Sequence, residues 1–284
     1  MTKDNGLGGL ATMPRWIAIC IGAYFTADLL VLYLWRVSAQ AFSIQGSSGS
    51  TSGLSVIAMA AVALYLSMAV LRGFEPGSSL RPAWMLIASA AAVQVVSGIL
   101  AELGEADGLV ERLAAGPVRL ALLAVAVLTV LKMVREFGFW AKPTAMDWAV
   151  FGIVCLYTLC RFAEGNAAEC ISLAGLPILC VLSLEGMMLR RAILQMGNGP
   201  VAKCWAALAY GVLLSGFAEI ALWLIPHYSH AVPQAIVGSL LRFPTAAVFA
   251  LCPAYQLMAQ RRAAEHLVAG LPENLSTSVP ALAR

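Results

Sequence analysis

Residues 203–225 read KCWAALAYGVLLSGFAEIALWLI. After Lys203 this stretch holds one charge, Glu219, in a run long enough to cross a bilayer, since a spanning helix needs about 20 mostly apolar residues. Counting outward from it finds seven more apolar runs, at roughly 16–36, 54–72, 83–102, 117–135, 147–163, 169–190 and 234–258, of which 147–163 is the shortest. The runs are continuous and do not alternate in polarity, which excludes barrel strands. The expected fold is an all-α polytopic bundle of eight transmembrane helices.

Composition agrees. Of 284 residues 61% are hydrophobic and 12% charged, with a mean hydropathy of +0.83. A soluble domain is about 45–50% apolar and about 25% charged. A soluble enzyme, a disordered chain and a secreted disulfide scaffold are therefore excluded. The net charge of +3 is mild, and the basic residues lie in short loops rather than a stripe, so no nucleic acid partner is expected. Seven cysteines with no CxxC pair read as packing residues, Cys20, Cys155, Cys180 and Cys252 lying inside apolar runs. Cys160 and Cys170 fall near one membrane face and can pair if that face is oxidising.

The boundaries carry their own punctuation. Pro82, Pro117 and Pro233 stand at or just before run starts, where a missing N–H costs little. GSSGSTSG at 46–53 reads as a flexible loop. Trp16, Trp35, Trp84, Trp140, Trp148, Trp205 and Trp223 lie near run ends, as interfacial indoles do. If the N-terminus is cytoplasmic, the outer side holds only Arg36, Arg112, Arg119 and Arg161. Arg242 falls within a span, and every other Lys and Arg falls inside. The positive-inside asymmetry thus predicts a plasma (inner) membrane protein with both termini cytoplasmic. Ala39-Gln40-Ala41 resembles a signal-peptidase site, but the first run carries Asp28 and exceeds the about 7–15 apolar residues of a signal peptide, which favours a retained helix. The division is a tail at 1–13, a first four-helix half at 14–135, a second at 147–258 and a tail at 263–284.

The halves resemble each other. Tyr24 and Asp28 have the spacing of Tyr157 and Arg161. Val-Leu-Arg72 ends the second run and Met-Leu-Arg190 the sixth. Trp84 and Ser97-Gly98 through Glu102 in the third run match Trp205 and Ser215-Gly216 through Glu219 in the seventh. Val118-Arg119 matches Leu241-Arg242. An even number of helices per half implies a parallel duplication, with its pseudo-twofold along the membrane normal.

Charges inside a span are expensive and mark candidate sites, at about 2.5–3.5 kcal/mol each on insertion scales. Asp28, Glu219 and Arg242 are the clearest, with Arg161 near the outer surface and Glu185 nearer the cytoplasmic end of the sixth run. At 1.5 Å per residue the first three lie about 9–12 Å below the outer surface. Two readings follow. Asp28, Arg161, Glu219 and Arg242 either form a self-neutralising ion-pair network or line an outward-facing pocket in which arginine meets a small anionic ligand. Helices 7 and 8 are joined by a short loop, so Glu219 and Arg242 are the favoured direct pair.

No cofactor is expected. His227, His230 and His266 lie in loop and tail, so a bis-histidine haem has no ligands, and no mid-helix lysine is present for a retinal Schiff base. No metal site is expected either, because His227 and His230 have no third ligand. Ala168-Glu169-Cys170-Ile171-Ser172 resembles the cysteine motif of exosortase-type transpeptidases over these residues alone. Ile171-Ser172 replaces that family's Ser-Gly, and the activity is not carried over. No other enzyme motif is found. The expected function is non-enzymatic: transport of a small solute, or its sensing through a protein partner in the bilayer. The rivals are a structural assembly subunit with buried ion pairs and a membrane enzyme acting on a lipid-linked substrate.

Overall fold

A computed structural model of the chain describes residues 26, 51–102, 114–139, 142–165, 173–228 and 234–269. The first run, with Asp28, lies outside these residues except for Thr26, as does Cys170. The described residues form seven α-helices: α1 (Thr51–Arg72), α2 (Arg81–Glu102), α3 (Arg119–Glu136), α4 (Ala145–Glu164), α5 (Gly175–Gln195), α6 (Pro200–Tyr228) and α7 (Gln234–Ala269). A π-helical turn, Ala114–Val118, leads into α3. These helices are the second to eighth runs of the sequence, and no strand occurs among the described residues.

Four stretches among these residues are long and apolar enough to cross a membrane: Arg81–Leu100, Gly116–Glu136, Ala145–Glu164 and Pro200–Leu224. Val56–Arg72 is apolar but shorter. The α5 helix carries Glu185, Arg190 and Arg191, and α7 runs out into the exposed residues 261–265. The described residues are helical apart from their turns, and their apolar helices mark a membrane-embedded protein. Length and composition mark four crossings in the described residues, against the eight runs counted in the sequence.

Local chemistry explains several boundaries. The backbone N–H of Thr144 donates to Asp147 Oδ2 at 2.8 Å, and the Thr144 hydroxyl to the same oxygen at 3.3 Å. This capping box opens α4, the helix with the shortest apolar run. Gly138 and Gly197 follow the ends of α3 and α5 at φ 83°, the left-handed conformation that lets the chain reverse. Thr51–Gly53, expected in a flexible loop, form the first turn of α1. The tail expected from 263 begins later, because α7 continues to Ala269. No glycine or proline falls between Pro253 and Gly270, and Gln260 Nε2 ties this part of the helix to the Val70 carbonyl at 3.2 Å.

The helices close a ring in the order α1, α2, α3, α5, α6, α7 and back to α1. The α4 helix is left out of the ring and packs on the outside of α5, with a lesser contact to α6. Its outer face presents Ile153, Leu156 and Leu159 at 58–66% exposure, an apolar stripe suited to lipid. One end of the ring, here the basic end, carries Arg72, Arg81, Lys132, Arg135, Arg190, Arg191, Lys203, Arg261 and Arg262.

The ring is filled by Val70, Val127, Val130, Leu182, Leu189, Leu208 and Val212, all at most 1% exposed. Close approach of α6 to α7 depends on Gly211, where an added Cβ would lie 3.1 Å from the Phe249 ring. Trp84 of α2 and Trp205 of α6 meet with ring centroids 5.7 Å apart. Both are fully buried, and neither indole N–H has a hydrogen-bond partner. These two indoles therefore lie at helix ends, as the sequence implies, but inside the bundle rather than in the wet interface.

Trp84→Ala and Trp205→Ala should each lower stability by about 3–5 kcal/mol, as large-to-small changes in a packed core do. The double variant should lose less than their sum, because each single change already removes the shared ring contact. Thermal unfolding in detergent reads both effects, and strict additivity would show that the two rings do not support each other.

Candidate functional site

The end of the ring opposite the basic end gathers polar groups from five helices. Arg119 is the first residue of α3, delivered there by the π-turn. That turn packs closely: a Cβ on Gly175 of α5 would lie 3.3 Å from Pro117 N. Arg119 Nη1 donates to Gln94 Oε1 of α2. Its Nε is shut off from solvent and has no partner. The Glu219 carboxylate of α6 and the Arg242 guanidinium of α7 both act on it, the first attracting and the second repelling. Groups from α2, α6 and α7 thus act on the one guanidinium that α3 supplies.

A second group adjoins the first. Arg161 Nη1 lies 4.0 Å from Glu164 Oε2, one turn further along α4. Trp223 Nε1 of α6 donates to the same carboxylate oxygen at 2.8 Å. Tyr157 meets the Trp223 ring edge-on, with centroids 5.6 Å apart, and its hydroxyl bonds Arg161. The Glu219 charge also acts on Tyr157. Glu219 is therefore common to both groups, between the Arg119 side and the Tyr157 side.

Of the residues singled out in the sequence, Asp28 lies outside the described residues. Arg161 and Glu219 lie within the two adjoining groups. Arg242 is exposed and reaches the group through its charge. No ion pair joins Glu219 to Arg242 among the described residues; the two acidic and basic influences meet at Arg119 instead. Arg119 was counted with the outer loop, because Pro117 reads as a helix start. The π-turn carries helical structure back to Ala114 and sets Arg119 inside the bundle. The recurrence of Val118-Arg119 as Leu241-Arg242 is the signal in the sequence that could have marked it. Gln94 has no such signal, whereas Tyr157 is marked by its recurrence with Tyr24 and Trp223 as a run-end indole.

A separate pair closes the basic end. Arg191 Nε lies 2.9 Å from Asp147 Oδ2 and Arg191 Nη2 bonds the Thr144 hydroxyl, with Asp147 fully buried. This pair ties the start of α4 to the end of α5 and has all its principal partners within the protein. Among the described residues, no three His, Cys, Asp or Glu side chains gather as a metal ion would require. No family model, no curated protein and no solved structure matches the chain.

Glu219→Leu should cost about 2 kcal/mol, below the range for a fully buried pair because Glu219 is partly exposed, since it strands Arg119 without its attracting charge. Arg242→Leu removes a repelling, exposed cation and should change stability by less than about 1 kcal/mol. Equal losses in detergent unfolding would mean that Arg119 does not mediate between them.

Proposed function

We propose that this chain is an eight-helix inner-membrane protein built as two like halves, whose outer end holds a polar intramembrane site for a small anionic ligand. The site serves transport, or sensing through a protein partner in the bilayer. The observation that carries the reading is Arg119: a guanidinium whose Nε is buried and unpartnered beside a surplus of positive charge. Around it the described residues supply Arg119, Arg161 and Arg242 against Glu164 and Glu219. A guanidinium fork stays charged at membrane depth and matches a carboxylate or phosphate oxygen pair.

The duplication has its own support. In the ring, α3 passes to α5 and α7 passes to α1. In run order these are the fourth to sixth and eighth to second contacts, which a parallel fourfold-plus-fourfold repeat relates by its twofold. The Trp84–Trp205 contact joins residues matched between halves, as contacts on a twofold axis do. Arg119 and Arg242, another matched pair, act on each other. The basic end carries the cytoplasmic loops under this reading, which puts both termini inside.

An assembly subunit is the second reading. It is favoured by the Arg161–Glu164–Trp223 group, whose members bind one another and so need no ligand.

Two measurements test the proposal. Reporter fusions at Ser50 and Asn198 should fall on opposite sides of the membrane, outside and inside. In lipid nanodiscs, a small carboxylate or inorganic phosphate at about 100 times its Kd should stabilise the protein by about 2.7 kcal/mol. Arg119→Gln should abolish that gain while leaving a folded bundle. If no such anion raises the melting temperature, the site belongs to the assembly reading.

A further inference from the structure

Glu185 stands inside α5, ten residues from Gly175 and ten from Gln195, and five before Arg190 at the basic end. It is 5% exposed. Both carboxyl oxygens are shut off from solvent, and neither has a hydrogen-bond partner. It takes no part in the outer polar groups or in the Asp147–Arg191 pair.

Contacts on either side fix what faces it. Thr158–Cys180 at 3.2 Å and Asp147–Arg191 at 2.9 Å set the register of α4, bringing Ile153 and Val154 to its level. The closeness of Gly186 to Val212 sets that of α6, bringing Val212 and Leu213. Gly175 against Leu120 sets that of α3, bringing Val130. The π-turn AAGPV offers no titratable group. The nearest titratable groups on the packed helices are Lys132 of α3, Cys155 of α4 and Tyr210 of α6. Lys132 is exposed, and Tyr210 is held by Arg190 Nε at 3.4 Å. No charge on these helices acts on Glu185; burial is the only influence on it.

A carboxylate in such a layer has neither water nor a counter-charge to repay its desolvation. A carboxylic acid does not need them. Ionisable groups kept in the interior of membrane bundles mark functional sites, and carboxyls that carry protons are among them. We propose that Glu185 is a proton-binding site at the centre of the bundle: it rests as a neutral acid and exchanges its proton with water admitted when the helices around α5 part. Only an O–H bond is made and broken, the proton passing between the carboxyl and a water molecule. This does not depend on the anion reading, and its test uses no anion.

The test uses the full chain in nanodiscs. Dicyclohexylcarbodiimide enters apolar layers and reacts with protonated carboxyls. The acid proton moves to a carbodiimide nitrogen, the carboxyl oxygen bonds the central carbon, and the adduct rearranges to a stable N-acylurea. Mass spectrometry should find this adduct on Glu185 at pH 7, at least tenfold above that from a water-soluble cationic carbodiimide. Equal labelling by both reagents, or none by either, overturns the proposal. Infrared spectroscopy supplies the second readout. Wild-type protein should show a protonated-carboxyl band that is absent in Glu185→Gln and that shifts on transfer to D2O. A band that never shifts marks a sealed structural acid and also overturns the proton site. Glu185→Gln should melt close to wild type, because the amide imitates the neutral acid; a large drop would reveal a charged Glu185 with a counter-ion.

Discussion

Charge inside an apolar bundle has to be compensated locally, and the architecture of this protein follows the ways in which that is met. At the basic end, Asp147 is fully buried and is satisfied by the Thr144 cap and by Arg191. Those bonds dock α4 onto α5, so one arrangement starts a helix, neutralises a charge and fixes a neighbour. At the opposite end Arg161, Glu164 and Trp223 satisfy one another across α4 and α6. Against that background, Arg119 Nε and Glu185 are conspicuous, since neither has a hydrogen-bond partner among the described residues.

These two groups ask for different remedies. An arginine is always charged, so its unfilled donor invites an anion or water. A glutamate can shed its charge by holding a proton. Their positions separate these roles along the bundle: Arg119 enters at the end of α3 away from the basic end, and Glu185 lies halfway along α5, which packs beside α3. Two of the helices around Glu185, α3 and α6, also carry Arg119 and the Glu219 that acts on it.

The ring makes this possible. Helices placed in simple sequence order would set α4 between α3 and α5. Instead α3 touches α5 directly and α4 is displaced to the lipid side. Small residues allow the tight contacts, Gly186 against Val212 and Gly211 against Phe249, and the tilted rings of Trp84 and Trp205 pack together inside the bundle near its basic end.

Much of this is legible in residue order alone. Hydropathy is a property of one helix and its solvent, so the all-α membrane class and most helix limits follow from it: the run at 83–102 becomes Arg81–Glu102, and that at 234–258 begins α7 at Gln234. The concentration of Lys and Arg at one end is equally a matter of sequence. Which charges meet is not. That depends on how each helix is rotated about its axis and which neighbour it faces, and neither is encoded in a single run. The pairing expected between Glu219 and Arg242 gave way to Arg119, because a π-turn shifted the start of α3 and turned a loop-flanking arginine inward. Gln94 acquired meaning only beside its partner. Glu185, visible as a charge in an apolar run, became a central and solitary one only when three helices closed on it with valine and leucine.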